Sequence, residues 1–245
     1  MQMDETRAAP AATFRAARRP WRSWRSSLWL APGLPALILV FLTINVLAGS
    51  PLLEVDRWIR DVVQAQANSA AWRWLGDTPS APAQIIVEFG SNQVAIPVLA
   101  ACALIAYLRR RSVRALLAAG ACVVLLLVTV IPAKILIARP GPGPTQAHIT
   151  PGGLGVFPSG HTTTASVCFL LGALLLVPGL PARIRTALVA FAVLVCFLVG
   201  VALIWCNYHW FTDVVAGWAL AAIIVQVCLV IARPGDRARG EARSP

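Results

Sequence analysis

Charge is scarce in this chain. Only 13% of its 245 residues are Asp, Glu, Lys or Arg, against roughly 25% in soluble domains. Lysine is almost absent, with Lys134 alone, and histidine is limited to His148, His161 and His209. So little charge beside 58% apolar residues excludes an ordinary soluble domain and points to a lipid environment. No CxxC pair occurs, and Cys102, Cys122, Cys168, Cys196, Cys206 and Cys228 all lie in apolar stretches. That placement argues against a disulfide framework or a thiolate metal site and reads as small buried or lipid-facing side chains. The net charge of +11 does not indicate nucleic acid as a partner, because the arginines fall between apolar runs rather than on a soluble basic face.

What the chain does have is long apolar runs, approximately at 28–48, 84–108, 115–137, 160–178, 186–206 and 211–232. Each is long enough to cross roughly 30 Å of hydrocarbon. The expectation is an all-α, polytopic membrane bundle of six transmembrane helices. The second run is interrupted by Glu88, Ser91, Asn92, Gln93 and Pro97, so its membrane core is expected to begin near Val94. The Arg-rich segment 1–27 precedes a run too long for a signal-peptide core, and no A-x-A cleavage site follows. It reads as a tail drawn to anionic headgroups. Residues 28–232 form the six-span domain and 233–245 a second tail.

Between the first two runs, Leu52, Val55, Trp58, Ile59, Val62 and Val63 fall near one helical face. This fits a helix in the interface plane or one packed on the protein, and Trp72 with Trp74 favours the interface. Six spans place sixteen of the 21 basic residues on one side and Arg57, Arg60, Arg73, Lys134 and Arg139 on the other. The positive-inside rule then makes both termini cytoplasmic, with localisation in a bacterial-type inner membrane. Lys134, Arg139, Asp213 and all three histidines share the outer side, and ionisable groups at a membrane edge are functional candidates.

In "PSGH", Pro158 and Gly160 precede an apolar run and Ser159 is placed to cap a helix. The first turn of a helix is a ready anion site, and His161 sits beside it. A plain N-cap with an interfacial histidine is the other reading. In "HWFTD", His209 and Asp213 are four apart, which on a helix puts them on one face. Such a carboxylate can fix an imidazole tautomer and leave the other nitrogen basic, or the two can be a structural pair. Lys134 and Arg139 would offer a point charge and a fork to one phosphate, or each can simply snorkel from a helix end.

Together these segments, about residues 134–217, resemble the membrane-bound lipid phosphatases of the type 2 phosphatidic acid phosphatase and vanadium haloperoxidase superfamily. "PSGH" at 158–161 matches in full, as do His209 and Asp213. Gly141 stands where that family has the second arginine of its first motif, and Ala202 and Leu203 replace its Ser-Arg. Arg139 matches the earlier arginine of the Arg-Pro-Arg-Pro version.

The resemblance implies catalysis by His209, Asp213 and His161, with a phosphohistidine on His209 and His161 as acid and then base. It implies phosphate binding by Lys134, Arg139, Ser159 and Gly160, with no metal and no cofactor. The expected partners are a lipid phosphate substrate and membrane lipids, with no nucleic acid; the sequence sets no oligomeric state. A polyprenyl phosphate or diphosphate leads among substrates, ahead of phosphatidic acid and phosphatidylglycerol phosphate. The missing arginines keep open a non-catalytic lipid-phosphate binder or transporter. His148 reads as a surface or entry residue.

Overall fold

The computed structural model describes residues 32–69, 81–143 and 154–233. Trp72, Arg73, Trp74, His148 and most of both tails lie outside the described residues. Within them the chain is all-helical: α1 Gly33–Leu47, α2 Leu52–Ala67, α3 Ala81–Glu88, α4 Asn92–Arg110, α5 Arg114–Ile137, α6 Gly160–Leu176, α7 Ala182–Trp205 and α8 Phe211–Ala232.

Four of these helices, α4, α5, α7 and α8, are long and apolar enough to cross a membrane. The remaining two expected spans are shorter among the described residues. α6 has 17 residues, about 26 Å at 1.5 Å per residue. α1 has 15 residues, and it reaches spanning length only together with α2, from which it is bent by 90°. The protein is thus a multi-pass membrane helix bundle with four helices of full spanning length, or five spans with the bent pair counted as one. The run expected over 84–108 divides into α3 and α4 at Phe89–Ser91. Gly90 makes that corner possible, since a Cβ there would lie 2.7 Å from the carbonyl oxygen of His161.

α6 is the hub and packs on α4, α7 and α8. Thr162 to Phe169 are buried without interruption. A helix enclosed on all sides needs no amphipathic stripe, and Thr163 Oγ1 donates to the Ser159 carbonyl at 2.7 Å while Thr164 Oγ1 donates to Asn92 Oδ1 on α4 at 3.4 Å. Its far end is closed by arginines: Arg110 Nη2 donates to Leu175 O at 2.8 Å and Arg109 Nη1 to Leu176 O at 3.1 Å. These are the last-turn carbonyls that a helix leaves without internal partners.

α2 divides its apolar residues between two faces. Leu52, Ile59 and Val63 turn inward with Asp56 and Ala67, while Val55, Trp58 and Val62 are exposed. The inner face packs on α7 and α8, and Gln64 Nε2 donates to Trp205 O at 3.0 Å. The outer ridge has no partner among the described residues, so the apolar residues of this one helix divide between packing on the protein and an exposed face.

α7 and α8 meet at Gly200, where a Cβ would lie 2.5 Å from Trp218 Cζ2 and 2.8 Å from Val214 Cγ1. Gly200→Ala should therefore overpack this contact. The expected cost is about 1–3 kcal/mol, read as a lower thermal midpoint in detergent; an unchanged midpoint would mean that the two helices can separate freely.

Candidate active site

Four chain segments converge at the end of the bundle where α6 begins. α5 ends at Ala138, which adopts φ 47° in the left-handed region. The turn is held by Gly155 N–H to Lys134 O at 3.0 Å and Val156 N–H to Arg139 O at 2.8 Å. This brings the stretch before "PSGH" against the end of α5. Ser159 N–H then donates to Asp213 O at 3.0 Å, which ties the start of α6 to the first turn of α8.

Ser159 caps α6. Its Oγ lies 2.9 Å from Thr162 Oγ1 and accepts from Thr162 N–H at 3.4 Å. The N–H groups of Gly160 and His161, in the first turn, have no carbonyl one turn earlier to receive them. Lys134 reaches the same place: its Cε would be 3.5 Å from a Cβ on Gly160, and its Nζ donates to Gly155 O at 3.1 Å. His161 stands within electrostatic reach of His209, Glu88 and Lys134. His161 and His209 thus lie within charge–charge range of each other and of Lys134, which also reaches the start of α6.

His209 and Asp213 do not share a helix face, contrary to the expectation from their spacing. α8 starts at Phe211, and His209 lies in the preceding turn, whose Asn207 has φ 58°. The N–H groups of Tyr208 and His209 both point to Leu203 O, at 2.9 and 3.4 Å. The pair still meets, because Asp213 reaches back over the helix start. Its Oδ2 is 3.4 Å from His209 Nδ1 and accepts from Trp210 N–H at 3.1 Å. With Nδ1 directed at the carboxylate, Nε2 is the nitrogen left for chemistry.

Arg139 occupies a different position from the one its motif suggests. Its Nη1 donates to Asp213 Oδ1 at 2.5 Å and to Thr212 Oγ1 at 2.8 Å, and its Nη2 to Asp56 Oδ2 at 2.6 Å. Both ends of the fork are held by carboxylates, and the guanidinium stacks on Trp210 at 5.3 Å. Trp210 Nε1 in turn donates to Pro140 O at 2.9 Å. Sequence reasoning missed Asp56, Thr212 and Trp210. The available signal was a carboxylate at position 56 inside the inward series Leu52, Ile59, Val63.

Neither missing arginine is replaced at its own position. Leu203 is buried in the core at 1% exposure, and Gly141 lies in the turn after Pro140. Arg60 also lies over the Trp210 ring at 5.5 Å and pairs with Asp61. Arg57 lines a cleft of about 310 Å³ with Leu53, Val46, Ile137, Arg139 and Trp210. The cleft adjoins the candidate site through Arg139 and Trp210 and does not include the histidines.

The PAP2 superfamily model matches residues 115–234. No curated protein matches the chain. Among solved structures, the crystal structure of the first transmembrane PAP2-type phosphatidylglycerolphosphate phosphatase, from Bacillus subtilis, superposes with a TM-score of 0.66 at 19% identity. The match covers 87% of this chain and 97% of that one.

Burial pushes the His209 imidazole below the usual histidine range, opposed by the hydrogen bond and charge of Asp213 and aided by Lys134 and Arg139. Folding therefore keeps His209 neutral down to a lower pH than the unfolded chain does. Below the unfolded value near 6.5 the unfolded chain binds the extra proton, so acidification costs stability through this group. His209→Gln should thus show a flatter loss of stability from pH 7 to pH 5 than the parent, measured by thermal unfolding. An equally steep loss would place the titration elsewhere. In motif and in bundle, the chain is similar to the PAP2 superfamily over residues 115–234.

Proposed function

We propose that this protein is a lipid phosphatase that works without a metal through a phosphohistidine on His209. The observation that carries this reading is the pairing of His209 Nδ1 with Asp213, beside an open helix N-terminus that Lys134 and His161 also face. His209 Nε2 attacks phosphorus as the bond to the lipid oxygen breaks. His161 gives its proton to that oxygen, then takes one from the water that cleaves the P–N bond. Asp213 fixes the tautomer and offsets the charge that the ring gains. Lys134 and the N–H groups of Gly160 and His161, with Ser159 shaping the cap, neutralise the equatorial oxygens. Arg139 adds its charge from behind Asp213, because its fork is engaged there.

Metal independence follows from this chemistry. The nucleophile is a neutral imidazole, and the nearby carboxylates face Arg139, Thr212 and the His209 ring rather than forming a hard-cation cluster. The site is taken to open at the outer headgroup level of a six-span bundle with both termini cytoplasmic, as the arginine distribution implies. A tail can then stay in the bilayer, with the cleft between α1, α2 and the end of α5 as its lateral approach. A polyprenyl phosphate or diphosphate is the favoured substrate. Phosphatidic acid and phosphatidylglycerol phosphate follow, the latter being what the Bacillus subtilis neighbour is named for.

One observation favours a second reading. The positions of two family arginines hold Gly141 and the buried Leu203, which fits a protein that binds a lipid phosphate without turnover. Purified protein in detergent separates the two. The expected result is phosphate release that persists in EDTA, is inhibited by vanadate, and falls by about 10³-fold or more in His209→Ala. Binding of the same lipid with no release would establish the second reading. Release that survives His209→Ala would remove the proposed nucleophile.

A further inference from the structure

A buried carboxylate outside the family motifs is built into this site. Asp56 lies on α2, near the start of the segment between the first two apolar runs, and is 1% exposed. A lone carboxylate there would be costly to bury. Both of its oxygens are engaged. Oδ1 accepts from Thr212 N–H at 2.9 Å, and Oδ2 accepts from Thr212 Oγ1 at 2.6 Å and from Arg139 Nη2 at 2.6 Å. Thr212 Oγ1 also accepts from Arg139 Nη1 at 2.8 Å. Asp56 therefore grips one side of the Arg139 fork and the first turn of α8, while Asp213 grips the other side of the fork at 2.5 Å.

The consequence concerns Asp213. Its Oδ1 is fixed by Arg139 and its Oδ2 serves His209 and Trp210. The carboxylate plane is therefore set by where Arg139 stands. With Asp56 present, the guanidinium is shared between two carboxylates. Without it, the whole charge would turn onto Asp213 and draw that carboxylate away from the ring. We propose that Asp56 is a positioning residue of this site, acting through Arg139 and Thr212 to hold Asp213 in register with His209. Helix α2 thus contributes to the reaction without touching substrate. The inference rests on the phosphatase reading for its kinetic consequence and on the hydrogen-bond network for its geometry.

The test compares four purified proteins: the parent, Asp56→Asn, Arg139→Gln and the double variant. Turnover on a short-chain lipid phosphate and thermal midpoints with and without orthovanadate are measured for each. Vanadate takes the five-coordinate geometry of the phosphoryl transition state, so it probes the aligned His209. Asp56→Asn should lower kcat about 10- to 100-fold, the range typical for loss of a partner that orients a functional side chain. KM should stay within about three-fold, because the phosphate ligands are untouched.

The double variant should have the kcat of Arg139→Gln alone, since Asp56 acts through that residue. A role confined to docking α2 would instead lower the thermal midpoint with parental kcat, or would add to the effect of Arg139→Gln; either result overturns the proposal. Should Asp56→Asn fail to fold, the double variant removes the buried charge together with its partner, and its comparison with Arg139→Gln carries the test. If the parent hydrolyses nothing yet gains a vanadate-induced midpoint rise that Asp56→Asn loses, the phosphatase reading falls and the positioning role stands. If the parent hydrolyses substrate and Asp56→Asn does so equally well, the reading stands and the positioning role falls. A parent that shows neither hydrolysis nor a vanadate response overturns both.

Discussion

One guanidinium between two carboxylates organises the functional end of this bundle. Arg139 is 8% exposed, and Asp56 and Asp213 are nearly inaccessible. Removing three charges from water is expensive, and the ionic attraction alone seldom repays it. Here the remaining lone pairs and donors are also used: Thr212 gives its N–H and hydroxyl to Asp56, and Trp210 gives its N–H to Asp213. A network satisfied at nearly every position fixes one arrangement, since any slippage would strand a buried charge. It also joins three segments far apart in sequence, namely α2, the end of α5 and the start of α8. The positions of His209 and of the α6 N-terminus then follow, through Asp213 Oδ2 and Asp213 O.

Much of this was legible in the chain. Apolar runs located α5, α7 and α8 to within a few residues, because a span of uniform hydropathy leaves little choice of secondary structure. "PSGH" announced the cap that Ser159 makes. Other features were not legible, for identifiable reasons. The split between α3 and α4 depends on Gly90 meeting the backbone of His161, a contact between residues 71 apart that no local pattern encodes. The spacing of His209 and Asp213 suggested a helix face, but a turn intervened: Asn207 turns left-handed and α8 begins only at Phe211, after His209. Arg139 looked like a free phosphate ligand because its partner Asp56 lies 83 positions earlier.

The charge balance bears on how such a site would hold a phosphate without the family's other arginines. Asp56 and Asp213 carry two negative charges, and Arg139 and Lys134 two positive ones, so the set is neutral while both histidines are neutral. A dianion entering that set gains little from net charge. It must rely on the dipole and free N–H groups of α6 and on the nearness of Lys134 to Gly160. A proton on His161 would add the missing positive charge where the leaving oxygen develops negative charge. Binding and general-acid catalysis would then draw on the same proton, and ground-state affinity would be modest relative to transition-state affinity, which is the useful direction for turnover.

The hub position of α6 explains why so short a helix can serve this purpose. A helix facing lipid must match the hydrocarbon thickness or tilt. α6 is instead enclosed by α4, α7 and α8, so its 17 residues need only match its neighbours. Its first turn is buried with them: Ser159 and Thr162 are fully inaccessible and Asp213, whose carbonyl accepts from Ser159 N–H, is as well. In such surroundings the protein lowers the local dielectric, and the few charges present act more strongly than they would at an exposed helix end.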